Sequence, residues 1–213
     1  MTLGRSITQM FLKGRILLVL AAVVEWLRLD RALDTTARWV RRRSRRMLTP
    51  VEIHEALRVF GNSIPYEDVR IVEDSALARR VARISSSVHL AQEKKLAVTL
   101  FRTVHFSTRL AQDGSDMPWL IHELTHVWQY CQWGPRYLVD ALHAQAEHGH
   151  AAYDITQGMA EHWPWNKFNF EQQGDVARAC YVALSAGDDA SRFAPYAAVL
   201  CNATPTRKRR RAR

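Results

Sequence analysis

The spacing of hydrophobic residues predicts a body made mainly of α-helices. The clearest N-terminal helix signal is Thr49-Pro50-Val51-Glu52, where threonine caps the helix, proline occupies the first turn and glutamate completes a capping box. That helix is expected to end at Gly61. A second capping box, Asn169 with Gln172, starts a helix that is expected to run to Gly187. Apolar residues at helical spacing predict further helices from Asp116 to Gly134, near 136–148 and near 190–200.

Segments rich in β-branched and aromatic residues predict a small amount of sheet. Residues 68–72 read as a short strand, whereas 96–101 and 103–106 form either one long strand or two short ones. All of them precede the helix that begins at Asp116. The predicted fold class is therefore α+β, mostly helical, with a small sheet ahead of that helix.

The length and the charge distribution divide the chain into three parts. The chain has 213 residues, of which 47% are hydrophobic, enough for one domain with a substantial core. Its net charge of +9 is concentrated at the ends: residues 1–46 hold 11 basic and 3 acidic residues, and residues 207–213 hold 6 basic and no acidic ones. We expect 1–46 to be a helical segment with a linker, 47–206 to be the folded domain, and 207–213 to be a disordered tail.

The two basic ends allow several interpretations. Ile16 to Val24 is an uninterrupted apolar run after a basic leader, and it is shorter than the ~20 residues of a membrane span. It predicts a helix packed on the body or on a partner, a membrane-surface or targeting helix, or a cleaved signal. Arg41 to Arg46 reads as a basic linker that suits anionic lipid head groups. The tail at 207–213 suits nucleic acid, an anionic surface, or solubility alone.

Cysteine usage indicates little. Cys131, Cys180 and Cys201 lie in apolar helical contexts, so we expect three small core residues. No spacing rule supports a disulfide between Cys180 and Cys201.

The stretch His122-Glu123-Leu124-Thr125-His126 carries the strongest chemical signal. Residues four apart lie on one face of a helix, so His122 and His126 can offer two imidazole nitrogens to one metal ion. Glu123 directly follows the first histidine, close enough to act on a water without binding the metal. The spacing predicts a zinc site for hydrolysis. The alternative is a core helix whose histidines bond to backbone or water.

A third zinc ligand is expected downstream, because catalytic zinc usually has three protein ligands and one open position. We prefer Glu171, since Asp175 lies one turn later and a carboxylate there can accept the outer ring N–H of a zinc-bound histidine. Glu147 is the alternative, although Ala151 occupies the equivalent later position. Nearby histidines that also remain alternatives are His143, His148 and His150.

Hydrolysis also requires a hydrogen-bond donor for the oxyanion of the tetrahedral intermediate. Tyr153 and His162 are the candidates, and either could instead be structural. The aromatic stretch Trp163 to Phe170 leads directly into Glu171. We expect most of its rings to pack beneath the site.

Two motifs together carry a resemblance to a known family. His122-Glu123-x-x-His126 followed by Glu171-x-x-x-Asp175 resembles the gluzincin pattern of zinc metallopeptidases. His122 to Gln129, followed by Asn169 to Gln173, is also similar to the toxin and effector metallopeptidase domains at the C terminus of some type VI secretion VgrG spike proteins. The resemblance spans residues 48–200 and is strong at the two motifs only.

This resemblance implies one zinc ion on His122, His126 and Glu171, with Glu123 as the general base. It implies hydrolysis of a protein or peptide substrate, a toxic role, and an immunity or inhibitor protein as a partner. Secretion or delivery to the periplasm of a target cell is expected, although 213 residues leave no room for a spike. In zincin-like peptidases the strand before the motif helix often borders the cleft, so Val98 to Phe106 is expected to accept an extended peptide by strand addition.

Two other function classes remain open from the sequence. One is a DNA-associated metalloprotease that uses the basic ends to stay on nucleic acid. The other is a non-enzymatic interaction protein stabilised by zinc with four protein ligands. The asymmetry of charge and apolar residues also suggests that Met1 to Arg46 keeps the enzyme latent.

Overall fold

The computed structural model describes residues 45–86, 96–134 and 136–203. Within these residues the chain forms one four-stranded sheet and seven α-helices, which confirms an α+β, mostly helical fold. The strands are β1 (Arg45–Arg46), β2 (Arg70–Val72), β3 (Ala97–Leu100) and β4 (Thr103–Phe106). The helices are α1 (Pro50–Phe60), α2 (Ala76–Ser86), α3 (Met117–Trp133), α4 (Arg136–His148), α5 (Thr156–Ala160), α6 (Phe170–Ala186) and α7 (Ala194–Asn202).

The sheet is mixed, with the strand order β1-β2-β4-β3. The β2–β4 pair is parallel, and both outer pairs are antiparallel. Leu100 lies opposite Thr103, so β3 and β4 are two short strands of a hairpin with Phe101-Arg102 at its turn. Of the two hairpin strands, β3 lies at an edge of the sheet and β4 lies in its interior. The prediction of a cleft edge over Val98 to Phe106 is therefore wrong for its second half, because β4 is an interior strand.

The two faces of the hairpin pack against different helices. Leu100 forms a small buried cluster with Leu77 and Val81 of α2, and Val98 packs against this cluster. Val104 and Phe106 belong instead to the main core, which contains the buried face of α3. This alternation follows from the two-residue period of a strand. It places the sheet between α2 and α3.

The antiparallel pair α3 and α6 forms the centre of the domain. These helices make the most extensive contact between any two described elements. Leu120, Ile121 and Leu124 of α3 are almost fully buried, and each such side chain stabilises the fold by about 1.5–3 kcal/mol. Asn169 caps α6 through its side-chain oxygen, which accepts hydrogen bonds from two backbone N–H groups, and the capping box with Gln172 is confirmed.

Some local expectations differ from the structure. Arg45 and Arg46, expected as the end of a basic linker, form β1, because the Arg46 guanidinium bonds at 2.8 Å to both Glu52 and Glu73. Asp116 occupies the N-cap position of α3, but its carboxylate accepts a hydrogen bond from Ala111 N at 2.8 Å and makes no capping bond. Helices α2 and α5 were not anticipated.

The remaining expectations concern the ends and the cysteines. The interpretations of residues 1–44 and 207–213 lie outside the described residues. Across the described ranges, no helix combines the length and the apolar character needed to cross a bilayer. No disulfide joins Cys131, Cys180 or Cys201, all of which lie in the described ranges. Cys131 and Cys180 are buried as expected, whereas Cys201 is exposed.

Candidate metal centre

Two helices bring together the three side chains that were predicted to bind zinc. His122 and His126 lie one turn apart on α3, and Glu171 lies in the first turn of α6. Glu171 Oε2 is 3.3 Å from His122 Nε2 and 3.5 Å from His126 Nε2. Ligand atoms of all three residues lie within 4.8 Å of one another, and all three side chains are buried.

These separations fit a tetrahedral metal ion. Ligand atoms at about 2.1 Å from a tetrahedral centre are about 3.4 Å from each other. The observed 3.3 and 3.5 Å agree with that geometry. They are longer than the roughly 2.7–2.9 Å of a direct charge-assisted hydrogen bond. Two imidazoles and one carboxylate also form the donor set of known catalytic zinc sites, so the residues present fit zinc.

Asp175 holds the first histidine in the required orientation. His122 Nδ1 lies 2.8 Å from Asp175 Oδ1. An ionised carboxylate only accepts hydrogen bonds, so Nδ1 carries a proton toward Asp175, and Nε2 is the nitrogen that can bind a metal once its own proton is lost. Asp175 also forms an ion pair with Arg178 at 3.2 Å. The predicted contact between Asp175 and a ligand histidine is therefore present.

Gln129 holds the second histidine, His126, in its orientation. This role of Gln129 was not predicted from the sequence. His126 Nδ1 lies 2.8 Å from Gln129 Oε1. The Gln129 amide nitrogen donates to the backbone oxygen of Phe170 and to Gln173 Oε1, which identifies the facing atom as the oxygen. The available signal was the i,i+3 spacing from His126, which places both side chains on one face of α3.

Gly174 permits the close approach of α6 to His122. A Cβ atom built on Gly174 would lie 2.6 Å from Cε1 and 2.7 Å from Nδ1 of the His122 ring. No side chain fits at that distance. A glycine inside a predicted helix was the signal, because glycine is unfavourable there unless another group needs the space.

Gln145 of α4 fixes the carboxylate of Glu171. Its amide nitrogen donates to Glu171 Oε1 at 2.9 Å and to the Tyr153 hydroxyl at 2.9 Å. Glu171 therefore turns its other oxygen, Oε2, toward the two histidines. The Tyr153 ring centroid lies 6.0 Å from that of His122, so Tyr153 borders the cluster.

Glu123 is also held in place. The Thr99 hydroxyl of β3 donates to Glu123 Oε2 at 2.7 Å. The Tyr137 hydroxyl donates to the backbone oxygen of Thr99 at 2.7 Å and accepts from Phe101 N at 3.1 Å. Neither Thr99 nor Tyr137 was predicted, because these hydrogen bonds join residues that are 24 to 38 positions apart in the sequence.

The electrostatics of the cluster favour a bound cation. Burial alone would lower the pKa of His122, but its contacts with Asp175 and Glu171 raise that pKa to about 10. Burial would also lower the pKa of His126, but the negative charge of Glu171 raises it, and the net shift is upward. The two histidines hold the pKa of Glu171 well below its usual range although burial opposes this. Burial and the nearby carboxylates raise the pKa of Tyr153, so its phenol stays neutral.

The other predicted residues lie apart from the cluster. Glu147 is exposed on α4, with His143 3.5 Å and His148 3.7 Å from its carboxylate. His162 is exposed after α5 with a left-handed backbone (φ 52°), and no bond or ring contact joins it to the triad within the described ranges. The side chain of His150 lies outside the described part of the structure.

Comparison with known proteins places this site in context. The chain matches no protein-family model. It is 28% identical over 165 residues to the type VI secretion system spike protein VgrG2b of Pseudomonas aeruginosa, a match that covers 74% of this chain and 15% of that protein. Its structure is similar to the effector domain of Pseudomonas aeruginosa VgrG2b, with a TM-score of 0.53 and 27% identity, covering 83% of this chain and 95% of that domain.

The homologue and the structural neighbour are thus the same effector domain of a spike protein. The chain spans about 15% of the length of the curated relative, so the similarity concerns one domain of a much longer protein.

Proposed function

We propose that this chain is a zinc-dependent metallopeptidase that acts as a toxin or effector. The observation that carries the proposal is the buried convergence of His122, His126 and Glu171 beside Glu123. A zinc ion held by these three residues would have a position left for water, as catalytic zinc requires. A purely structural zinc would need a fourth protein ligand, and the metal-binding group of the described residues contains three.

Each residue has a distinct part in the proposed mechanism. A zinc ion held by the triad would supply a Lewis acid and lower the pKa of its water to about 7. Glu123 Oε2 is occupied by the Thr99 hydroxyl, which leaves Oε1 to accept the proton of the attacking water. Glu123 then donates this proton to the leaving amine. Tyr153, a neutral phenol at the edge of the cluster, is our candidate donor to the oxyanion.

The proposed substrate is a protein or peptide in extended conformation. The edge strand β3 can add a peptide by main-chain hydrogen bonds. The hydroxyl of Tyr137 already bonds to Thr99 O and Phe101 N, at the end of this strand. Val98 uses its backbone groups to pair with His105 of β4, so we assign peptide addition to the beginning of β3, at Ala97.

The effector role rests on the similarity to the VgrG2b domain. For this chain we propose secretion or delivery into a target cell, with the periplasm as one destination. A protein of that cell would be the substrate. A toxic peptidase also requires protection of the producing cell, so we propose an immunity protein as a partner.

The test is hydrolysis of dye-labelled casein, which is unfolded and presents many extended segments. The zinc-loaded wild type should release dye and new amino termini. Glu123→Ala should lower the rate at least about 100-fold, because a positioned general base contributes 10²–10⁴-fold. Glu147→Ala, an exposed carboxylate on α4, is the matched control and should retain the wild-type rate. Normal cleavage by Glu123→Ala would contradict the mechanism.

A further inference from the structure

We propose that Thr99 is a positioning residue for Glu123, acting through its hydroxyl to hold the general base in one orientation. This inference rests on the proposed peptidase function. It assigns a role in the reaction to a strand residue that precedes the motif by more than twenty positions.

The contact itself is short and protected from water. Thr99 Oγ1 donates to Glu123 Oε2 at 2.7 Å, and the two residues are 5% and 6% exposed. A hydrogen bond to a charged group is stronger than one between neutral groups, and burial strengthens it further. No second side chain bonds to the Glu123 carboxylate among the residues that the structure describes. Thr99 therefore determines which carboxylate oxygen stays free.

The sheet dictates that this side chain faces α3. Val98 and Leu100, the neighbours of Thr99, pack with the α2 cluster that contains Leu77 and Val81. Successive side chains on a strand point to opposite faces, so Thr99 points away from α2 and reaches Glu123 on α3. A register shift of one residue would turn the hydroxyl to the wrong face. The register of β3 against β4 therefore decides whether the Thr99 hydroxyl faces Glu123.

The backbone of Thr99 is fixed independently. Tyr137, which is 1% exposed, donates its hydroxyl proton to Thr99 O at 2.7 Å and accepts from Phe101 N at 3.1 Å. The Tyr137 hydroxyl therefore connects α4 to the end of β3 by two hydrogen bonds. Because the Thr99 backbone is held, its hydroxyl has a defined position relative to α3.

The residue type suits this task. Threonine is branched at Cβ, so its χ1 angle is stiff and its hydroxyl has few alternative directions. Serine keeps the hydroxyl but rotates more freely. Valine has nearly the same shape but cannot donate a hydrogen bond. Thr99→Ser and Thr99→Val therefore separate the hydrogen bond from the packing.

The first test is steady-state hydrolysis of dye-labelled casein by the full chain. Thr99→Val should lower kcat about 10- to 100-fold and leave KM within about twofold, with unchanged zinc content. Thr99→Ser should recover most of kcat. Thr103→Val on the adjacent strand β4 is the matched control and should behave as wild type. A Thr99→Val protein with wild-type kcat, or a Thr99→Ser protein as impaired as Thr99→Val, would overturn the inference.

The second test does not depend on activity. In chelator-treated full-length protein, the urea midpoint is measured for Thr99→Val, Glu123→Ala and the double variant. The downward shift caused by Thr99→Val should largely vanish in the Glu123→Ala background. Fully additive shifts would overturn the inference. If wild type does not cleave casein, the proposed function fails for that substrate, and this cycle still decides whether Thr99 holds Glu123.

Discussion

At the scale of single residues, Gly174 shows how a missing side chain can define a site. Replacing glycine by alanine inside a helix normally stabilises it by about 0.5–1 kcal/mol. At Gly174 the added Cβ would lie 2.6 Å from the His122 ring. We expect Gly174→Ala to lower both the melting temperature and the zinc affinity, because α6 or His122 must move.

Gly187, the residue that caps the C-terminal end of α6, provides the control. Gly187 has φ of 71° and no atom within 4 Å of a built Cβ. Gly187→Ala should therefore lose stability through backbone strain but keep wild-type zinc affinity, measured by competition with a chromogenic chelator. If Gly174→Ala also kept wild-type zinc affinity, the close approach of α6 would not be needed for the site.

The raised pKa of His122 predicts two opposite effects of pH. As pH rises, the metal-free protein loses the stability contributed by His122, whereas its affinity for zinc increases. In chelator-treated protein the pKa of His122 is raised from 6.5 to about 10. Its contribution to stability is therefore fully present below pH 6.5 and is lost as pH rises toward 10. The pKa of Glu171 is lowered from 4.5, so its contribution is lost on acidification below that pH.

Zinc requires neutral histidine, so binding displaces protons. We expect the apparent zinc affinity to rise about tenfold or more per pH unit between pH 6.5 and 8.5. Isothermal titration in two buffers of different ionisation enthalpy would count the released protons. A zinc affinity independent of pH would contradict this description of the site.

The sequence predicted two pairs of site residues that lie one helical turn apart, although Gln129, three residues after His126, was missed. Helical spacing related His122 to His126, and the same spacing related Glu171 to Asp175. Gln145 and Thr99 were beyond its reach, because they lie 26 and 24 positions from the glutamates they contact. Such contacts depend on how α4 and β3 pack, which no local pattern encodes.

At the scale of elements, one hydroxyl connects the edge strand to α4. Tyr137→Phe removes the bonds to Thr99 O and Phe101 N and leaves two backbone groups without this partner. We expect a loss of about 1–3 kcal/mol in the free energy of unfolding, measured by urea denaturation. Tyr130→Phe on α3 is the control, because no hydrogen bond of its hydroxyl occurs within the described ranges. Equal effects of the two substitutions would contradict the assigned role of Tyr137.

The elements that could be predicted are those with strong end signals. The capping boxes at Thr49 and Asn169 are confirmed, since both depend on residues three apart. Strand β1 was missed, because Arg45 and Arg46 end a basic run that resembles a linker. The sequence gives no sign that Arg46 pairs with Glu52 and Glu73. The order of the strands could not be predicted, since it depends on contacts between distant segments.

At the scale of the whole molecule, the proposed zinc ion would join the two central helices. The histidines lie on α3 and Glu171 lies on α6, the most extensively packed pair among the described elements. A ligand present at 100 times its dissociation constant stabilises a fold by about 2.7 kcal/mol. For a chain of this size, zinc at that excess should raise the melting temperature by about 5–10 °C.

The same experiment on Glu171→Ala separates specific from adventitious binding. That variant should gain much less from zinc, whereas Glu147→Ala should gain as much as wild type. Equal zinc-induced shifts in wild type and Glu171→Ala would indicate that zinc binds elsewhere.

The most direct test of the central claim is the zinc content of the purified protein, determined by elemental analysis. We predict one zinc per chain in wild type and in Glu123→Ala, and a clearly lower content in Glu171→Ala after the same dialysis. Absence of zinc from wild type after loading, or a content unaffected by Glu171→Ala, would contradict the proposed metal centre of His122, His126 and Glu171.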